Sequence, residues 1–271
     1  MVGGHVRSGT SLLRELCNRH PEMTITHEFG TFLELGKPFP VYKRAIVNRW
    51  KRSPFLGFRV FRSDRKNTRV RRWFRSIRGH VFAYRYLKQL EGSANGSVQF
   101  ETVEAILKQI FPTRIVGDKW PDYAVHLDRL TPLFEQHDAR CLIIYRDCRD
   151  VTSSTLFHAR TVWKNEEWIK GATAEKVAQR WVNTIEMMEK YRNKIHTICY
   201  ENLVKTPEKE ISKIADYLQV DPKGFPIQMI RKINIGKHAT GLTEEELSDL
   251  IRIAGPTMTR LGYTVTSNIV V

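Results

Sequence analysis

A chain of 271 residues, 41% of them hydrophobic, suffices for one large α/β domain or two small ones with an ordinary core. No run approaches the roughly 20 apolar residues of a membrane span, and no charged-then-apolar signal segment opens the chain, so a soluble, cytoplasmic protein is expected. The net charge of +15 is localised: 43–88 holds roughly sixteen Lys and Arg against Asp64 alone, while the remainder nearly balances.

The first stretch is Gly3, Gly4, His5, Val6, Arg7, Ser8, Gly9, Thr10 and Ser11, with Leu12, Leu13, Leu16 and Cys17 at helical spacing behind it. Two glycines permit a tight turn, Gly9 permits close approach to a ligand, and Thr10 and Ser11 are expected to cap a helix over 10–19. Unpaired N–H groups and the positive end of the helix dipole would then face an anion, with Arg7 adding a full charge: a phosphate cradle. A nucleotide-triphosphatase loop ends in Gly-Lys-Ser/Thr, and no lysine precedes Thr10, which disfavours a kinase or ATPase. With only Met1 and Val2 ahead of the cradle, a trimmed chain, an internal domain of a longer protein or a start site placed too late is expected.

Asn18, His20 and Pro21 close the first helix, and Met23 to His27 leads to Glu28, Phe29 and Gly30. A carboxylate there suits proton removal near an anion, and equally a solvated or capping role. The basic segment interleaves its arginines with Trp50, Phe55, Phe58, Phe61, Trp73, Phe74, Phe82, Tyr84 and Tyr86, which a disordered basic tail would lack. Arg69, Arg71, Arg72, Trp73 and Arg75 propose one helix with a cationic face. The segment over 43–95 is read either as a solvated surface or as a basic helical insertion that binds the acceptor and steers acidic substrates. Nucleic acid is disfavoured, because no RNA or DNA module signature is present. A loop over 91–97 and a helix over 98–111, stopped by Pro112, precede a short strand at Arg114 to Val116 that delivers Gly117, Asp118, Lys119, Trp120 and Pro121.

A helix over 127–134 is followed by the apolar β run Cys141 to Tyr145, which ends in Arg146, Asp147, Cys148, Arg149 and Asp150 and the hydroxyl cluster Thr152, Ser153, Ser154 and Thr155. A strand feeding arginines and serines into a helix start is a second anion site, and two such sites suit a ligand with separated phosphates. Val177, Trp181, Ile185 and Met188 share one face of a helix over 174–191. A strand over 194–200, ending at Tyr200, and a helix over 207–218 follow. Asn234, Ile235, Gly236, Lys237 and His238 then precede a capped helix start at Thr243 to Glu246. The alternation predicts an α/β protein: a P-loop-type, three-layer α/β/α domain spanning 1–271, with a mostly parallel central sheet and the basic helical insertion. Cys17, Cys141, Cys148 and Cys199 form no close pairs, which fits a reducing compartment and gives metal binding no support.

Arg7-Ser8-Gly9-Thr10-Ser11 before a leucine helix, with Arg146-Asp147-x-Arg149-Asp150 and Ser154 eight places after Arg146, resembles the sulfotransferases that use 3′-phosphoadenosine 5′-phosphosulfate (PAPS). The nearest pattern is the tyrosylprotein type and its bacterial relatives, over residues 1–36 and about 113–265. The resemblance implies that the first loop, through Arg7, Ser8, Gly9, Thr10 and Ser11, binds the 5′-phosphosulfate, and that Arg146 and Ser154 bind the 3′-phosphate. It implies Glu28 as the base on the acceptor hydroxyl and Lys119 as an assistant at the sulfuryl group. Tyr200, Gly236, Lys237 and His238 fall in the implied cofactor site, the product is adenosine 3′,5′-bisphosphate (PAP), and no metal is required. Val6 stands where a proline is usual, Cys148 where a glycine is common, and His238 and Ala239 where an aromatic and a second basic residue are expected. The acceptor hydroxyl is left open among a peptide tyrosine, a sugar and a small molecule, as are its acidity and a homodimer. A P-loop kinase-like or phosphatase protein and a silent polyanion-binding module are the rival readings.

Overall fold

Five short strands make one all-parallel sheet in the order β2-β3-β1-β4-β5: β1 (Val2–Gly3), β2 (Met23–His27), β3 (Ile115–Lys119), β4 (Leu142–Tyr145) and β5 (His196–Cys199). The computed structural model describes residues 1–51, 69–93, 96–231 and 235–265. The register aligns the carboxyl ends, with His27 beside Lys119, Val2 beside both Lys119 and Leu142, and Tyr145 beside Cys199. Each strand therefore releases its next residues along one edge, where ligands bind in open parallel sheets.

The alternation of β4 explains the layers. Leu142 and Ile144 point into a core shared with α1 (Thr10–Asn18), α8 (Tyr200–Lys205) and α9 (Pro207–Leu218), through Leu13, Leu16, Leu203, Ile211 and Ile214. Ile143 points the other way, against α6 (Cys148–Arg160), α7 (Ala174–Lys190) and α10 (Glu244–Arg260), where Val151, Trp181, Ile185, Leu250 and Met258 are buried. With apolar side chains on both faces, the strand reads as a continuous hydrophobic run. The expected capped start at Thr243 is present as a capping box, Thr243 and Glu246 each bonding the other's backbone N–H. Between the sheet's edge and the remaining helices α2 (Phe39–Lys51), α3 (Arg69–Ser93), α4 (Phe100–Ile110) and α5 (Leu127–Gln136) lies a third, aromatic core.

Several expectations change. The helix expected to end before a 91–97 loop runs on to Ser93, and Ser97 bridges to Pro38. Tyr42 and Ile46 of α2 and Phe82, Tyr86 and Leu90 of α3 are buried with Phe29, Val103 and Leu107, and the Tyr42 and Tyr86 hydroxyls meet at 2.5 Å. The described part of the basic segment is thus built into the domain core, because its aromatic residues recur at helical spacing and find partners there. Phe55, Phe58, Phe61 and Asn234, together with the side chains of Trp50 and of the proposed cationic face at 69–76, lie outside the described residues. Among the described residues no helix is long and apolar enough to cross a membrane.

Candidate active site

Read along the sheet, the five carboxyl ends deliver the predicted residues in order: Glu28 after β2, Lys119 at the end of β3, the loop His5 to Ser11 after β1, Arg146 after β4 and Tyr200 after β5. Adjacent strands stand about 4.8 Å apart, so these groups line one cleft edge. Backbone bonds fix the neighbours further: Gly4 N–H donates to Pro121 O at 3.1 Å and Trp120 N–H to Val2 O at 3.0 Å.

The first loop is shaped by its own packing. Gly4 (φ 145°) leaves no room for a side chain, since a Cβ there would sit 2.2 Å from Ile144 O, and Arg7 takes the left-handed region at φ 72°. Gly9, at φ 103°, is the N-cap of α1, and neither Thr10 nor Ser11 caps it with a side chain as expected; Thr10 is the first helical residue. The close approach that Gly9 permits is made by the protein, whose Tyr200 ring lies 2.6 Å from the position a Cβ would take. The first-turn N–H groups of α1 remain without intrahelical acceptors, as at any helix start. Ser8 is fully buried in this loop, and its Oγ has no hydrogen-bond partner among the described residues, which fits an anion held in the cradle.

The loops after β1 and β4 meet. Arg7 Nε donates to Ser154 Oγ at 2.9 Å, and Arg146 Nη1 donates to the Arg7 carbonyl at 3.3 Å. The Arg146 guanidinium lies 4.8 Å from the centre of the Tyr200 ring and pairs with Asp150 at 3.0 Å; its carbonyl receives the Trp181 indole N–H at 2.9 Å. Tyr200, 4% exposed, thus serves as a floor beneath Arg146. Asp150 also receives the Gly236 N–H (2.9 Å), the His238 N–H (3.0 Å) and His238 Nδ1 (2.9 Å), bringing the C-terminal loop to the same place. Burial would raise the Asp150 pKa, but the bonds from His238 and the Arg146 charge outweigh it and hold the carboxyl well below the usual carboxylate range. Lys237 is exposed at the start of a short turn over 237–240.

At the other end Lys119 Nζ donates to Glu28 Oε1 at 2.7 Å. Lys119 is 1% exposed and Glu28 24%, so the ammonium end of the pair is dry and the carboxylate end faces water. Burial pushes the Lys119 pKa below the ordinary lysine range, against the pull of Glu28. Glu28 itself is left-handed (φ 57°), and its N–H donates to Lys119 O at 2.7 Å.

Sequence reading assigned no role to the group that fixes this end. Asp118, fully buried, accepts from Thr26 Oγ1 (2.7 Å) and Phe29 N–H (3.1 Å) on one oxygen and from Gly30 N–H (2.6 Å) and Tyr123 OH (2.8 Å) on the other. Glu201 does the same for the second loop, taking the Asp147 N–H (3.0 Å) and Tyr263 OH (3.0 Å). An acid two places beyond the apolar pair Ile115 and Val116 was the available signal for Asp118.

Two arginine-bearing loops joined at the ends of parallel strands, with a paired carboxylate and ammonium on the neighbouring strands, gather the charged groups of this chain at one edge of the sheet. Residues 1–223 match the Sulfotransferase family, and the chain belongs to it. Its fold is similar to the sulfotransferase domain from the curacin biosynthetic pathway (18% identity, TM-score 0.59, covering 98% of this chain and 97% of that one). It is also similar to the sulfotransferase domain from the Synechococcus PCC 7002 olefin synthase (15%, 0.60, 98% and 94%) and to sulfotransferase STF9 from Mycobacterium avium (16%, 0.54, 97% and 76%). At these identities the likeness is one of fold. The chain is therefore a sulfotransferase, an enzyme of sulfuryl transfer, and the kinase and silent-module readings fall away.

Asp118→Asn places an N–H₂ against the Gly30 N–H and the Tyr123 hydroxyl. It should lower stability by about 2–4 kcal/mol, seen as a drop in Tm. Below that Tm, kcat should fall about tenfold or more while PAP affinity, measured by calorimetry, holds; a variant with unchanged kcat would show that the Asp118 bonds do not position Glu28.

His5 supplies a pH signature. Its Nδ1 donates to Val6 O at 2.7 Å, Nε2 is buried without a partner among the described residues, and burial pushes the imidazole down to about 4. Between that value and the ordinary ~6.5 only the unfolded chain is protonated, so stability falls as pH drops through this window. Urea unfolding at pH 7 and pH 5 should show a difference about 2 kcal/mol smaller in His5→Gln than in the parent.

Proposed function

We propose that the enzyme transfers the sulfuryl group of PAPS to an acceptor hydroxyl, with Glu28 as the general base. The observation that carries the donor assignment is the Arg7–Ser154–Arg146 junction, which joins the loops after neighbouring strands β1 and β4 into one cationic surface. Adjacent but distinct arginines suit two anionic groups on one nucleotide. The orphaned Ser8 hydroxyl and the first-turn N–H groups of α1 suit one of them, and Arg146 over Tyr200 with Ser154 suits the other.

The bound donor supplies a sulfuryl group on the bridging oxygen of a 5′-phosphate. Arg7 and the N–H groups of Gly9, Thr10 and Ser11 hold positive charge where that oxygen would gain negative charge, and cost no reorganisation because the loop is preset. Glu28 takes the acceptor hydroxyl proton as the new S–O bond forms; the electron pair of the broken S–O bond stays on the phosphate oxygen. Lys119 holds the Glu28 carboxylate in place through its hydrogen bond and, being dry, interacts strongly with charge that develops within its reach. Arg146 and Ser154 grip the 3′-phosphate, and Gly236, Lys237 and His238 close over the nucleotide from the C-terminal side. Four free cysteines, three of them buried, favour a reducing, cytoplasmic setting.

Glu28→Gln should cut turnover by about a hundredfold or more in a labelled-sulfate assay and leave PAP binding intact; full activity would remove Glu28 from the chemistry. Arg146→Ala should weaken PAP about tenfold or more and adenosine 5′-phosphate far less by calorimetry. Equal losses for the two nucleotides would contradict the 3′-phosphate site.

A further inference from the structure

Beyond α6 the chain folds through tight turns, with Trp163 N–H donating to His158 O at 2.7 Å, Glu166 N–H to Trp163 O at 2.8 Å and Ile169 N–H to Glu166 O at 3.2 Å. These turns line up a row of rings that starts at the anion site. The Arg7 guanidinium lies 5.7 Å from the centre of Trp163, whose ring is 4.7 Å from His158 and 5.0 Å from Trp168. The outer members are poorly covered: Trp168 is 53% exposed, Phe157 60% and Val162 67%. Large apolar side chains left in water beside a reaction site form a contact platform.

The charges around this row are matched. Arg160 pairs with Glu246, Lys170 with Glu167, and Glu166 stands near Lys164 in sequence, so the surface offers little net field to an acidic partner. We propose that Trp163 and Trp168 form the outer wall of the acceptor subsite, and that the acceptor is an elongated, uncharged molecule whose aromatic or flat apolar group rests about 10 Å from Arg7. The inference rests on the sulfotransferase reading, since Arg7 marks where the sulfuryl group is held. Trp163 then has two tasks, stacking on Arg7 from one side and continuing the platform on the other. This moves acceptor recognition from the basic segment to the turns after α6.

The test is calorimetric binding, in the presence of saturating PAP, of a series of 4-substituted phenols with apolar arms of increasing length, and of a hexose, with sulfation measured alongside. Affinity should rise about tenfold from phenol to an arm that reaches Trp168. Trp168→Ala should lose that gain progressively with arm length while PAP affinity holds. Equal affinity along the series overturns the proposal, as does a parallel loss of PAP binding, which would make the indoles a nucleotide platform. Tighter binding of the hexose than of any long phenol also overturns it. Trp168-dependent binding without sulfation supports the subsite and removes the transfer chemistry assigned to Glu28; sulfation without length preference does the reverse.

Discussion

The Arg146 guanidinium is the interaction on which the site's geometry depends. It bonds the Arg7 carbonyl, pairs with Asp150 and lies on Tyr200, so one side chain touches the loops after β1, β4 and β5 and, through Asp150, the C-terminal turn. Holding one arginine against the backbone of another is costly unless the charge is answered within the same cluster. Asp150 answers it, and its other bonds to Gly236 and His238 tie that compensation to the loop expected to cover the nucleotide. The positive surface is therefore rigid before any anion arrives, which is what electrostatic catalysis requires.

Strain is concentrated where chemistry is assigned. Among the described residues the non-glycine positions with positive φ are Arg7, Glu28 and Gln219, and two of these are the proposed charge holder and the proposed base. Such conformations cost of order 1–3 kcal/mol each and persist only where neighbours over-determine them. For Glu28 the constraint is visible: its own N–H is held by Lys119 O, its carboxylate by Lys119 Nζ, and the next two N–H groups by Asp118. For the second loop Glu201 supplies the equivalent hold on Asp147. Buried carboxylates that accept backbone N–H groups thus hold two of the strand-end loops, Asp118 the one after β2 and Glu201 the one after β4.

Much of this was legible in the chain. The helix over 207–218 and the capping box at Thr243 follow from Pro at a helix start and from Thr-x-x-Glu spacing, both local signals. The order of strands and helices predicted the parallel sheet because periodicity needs no distant partner. What local signals could not supply were contacts fixed by the three-dimensional register. The role of Asp118 depends on Thr26, Phe29 and Gly30 arriving from a strand about ninety residues earlier, and Tyr200 became a floor for Arg146 only because β5 lies beside β4. The N-cap falls at Gly9 rather than at Thr10, and a side chain at position 9 is excluded by Tyr200, far along the sequence.

The departures from the family pattern make sense on the same basis. Cys148 opens α6 with its side chain wholly buried among Ile143, Val151 and Trp181, and burial raises its thiol pKa, so it acts as a small apolar filler where a glycine is common. His238, in place of an aromatic, bonds Asp150 through both its backbone N–H and Nδ1, which fixes the C-terminal loop by hydrogen bonds rather than by stacking. A phenylalanine there could keep the first bond but not the second. The substitution thus exchanges one means of holding the loop for another while leaving Lys237 exposed beside it. Since that bond lands on the carboxylate that also pairs with Arg146, the position of the C-terminal loop and the setting of the Arg146 charge form a single coupled arrangement.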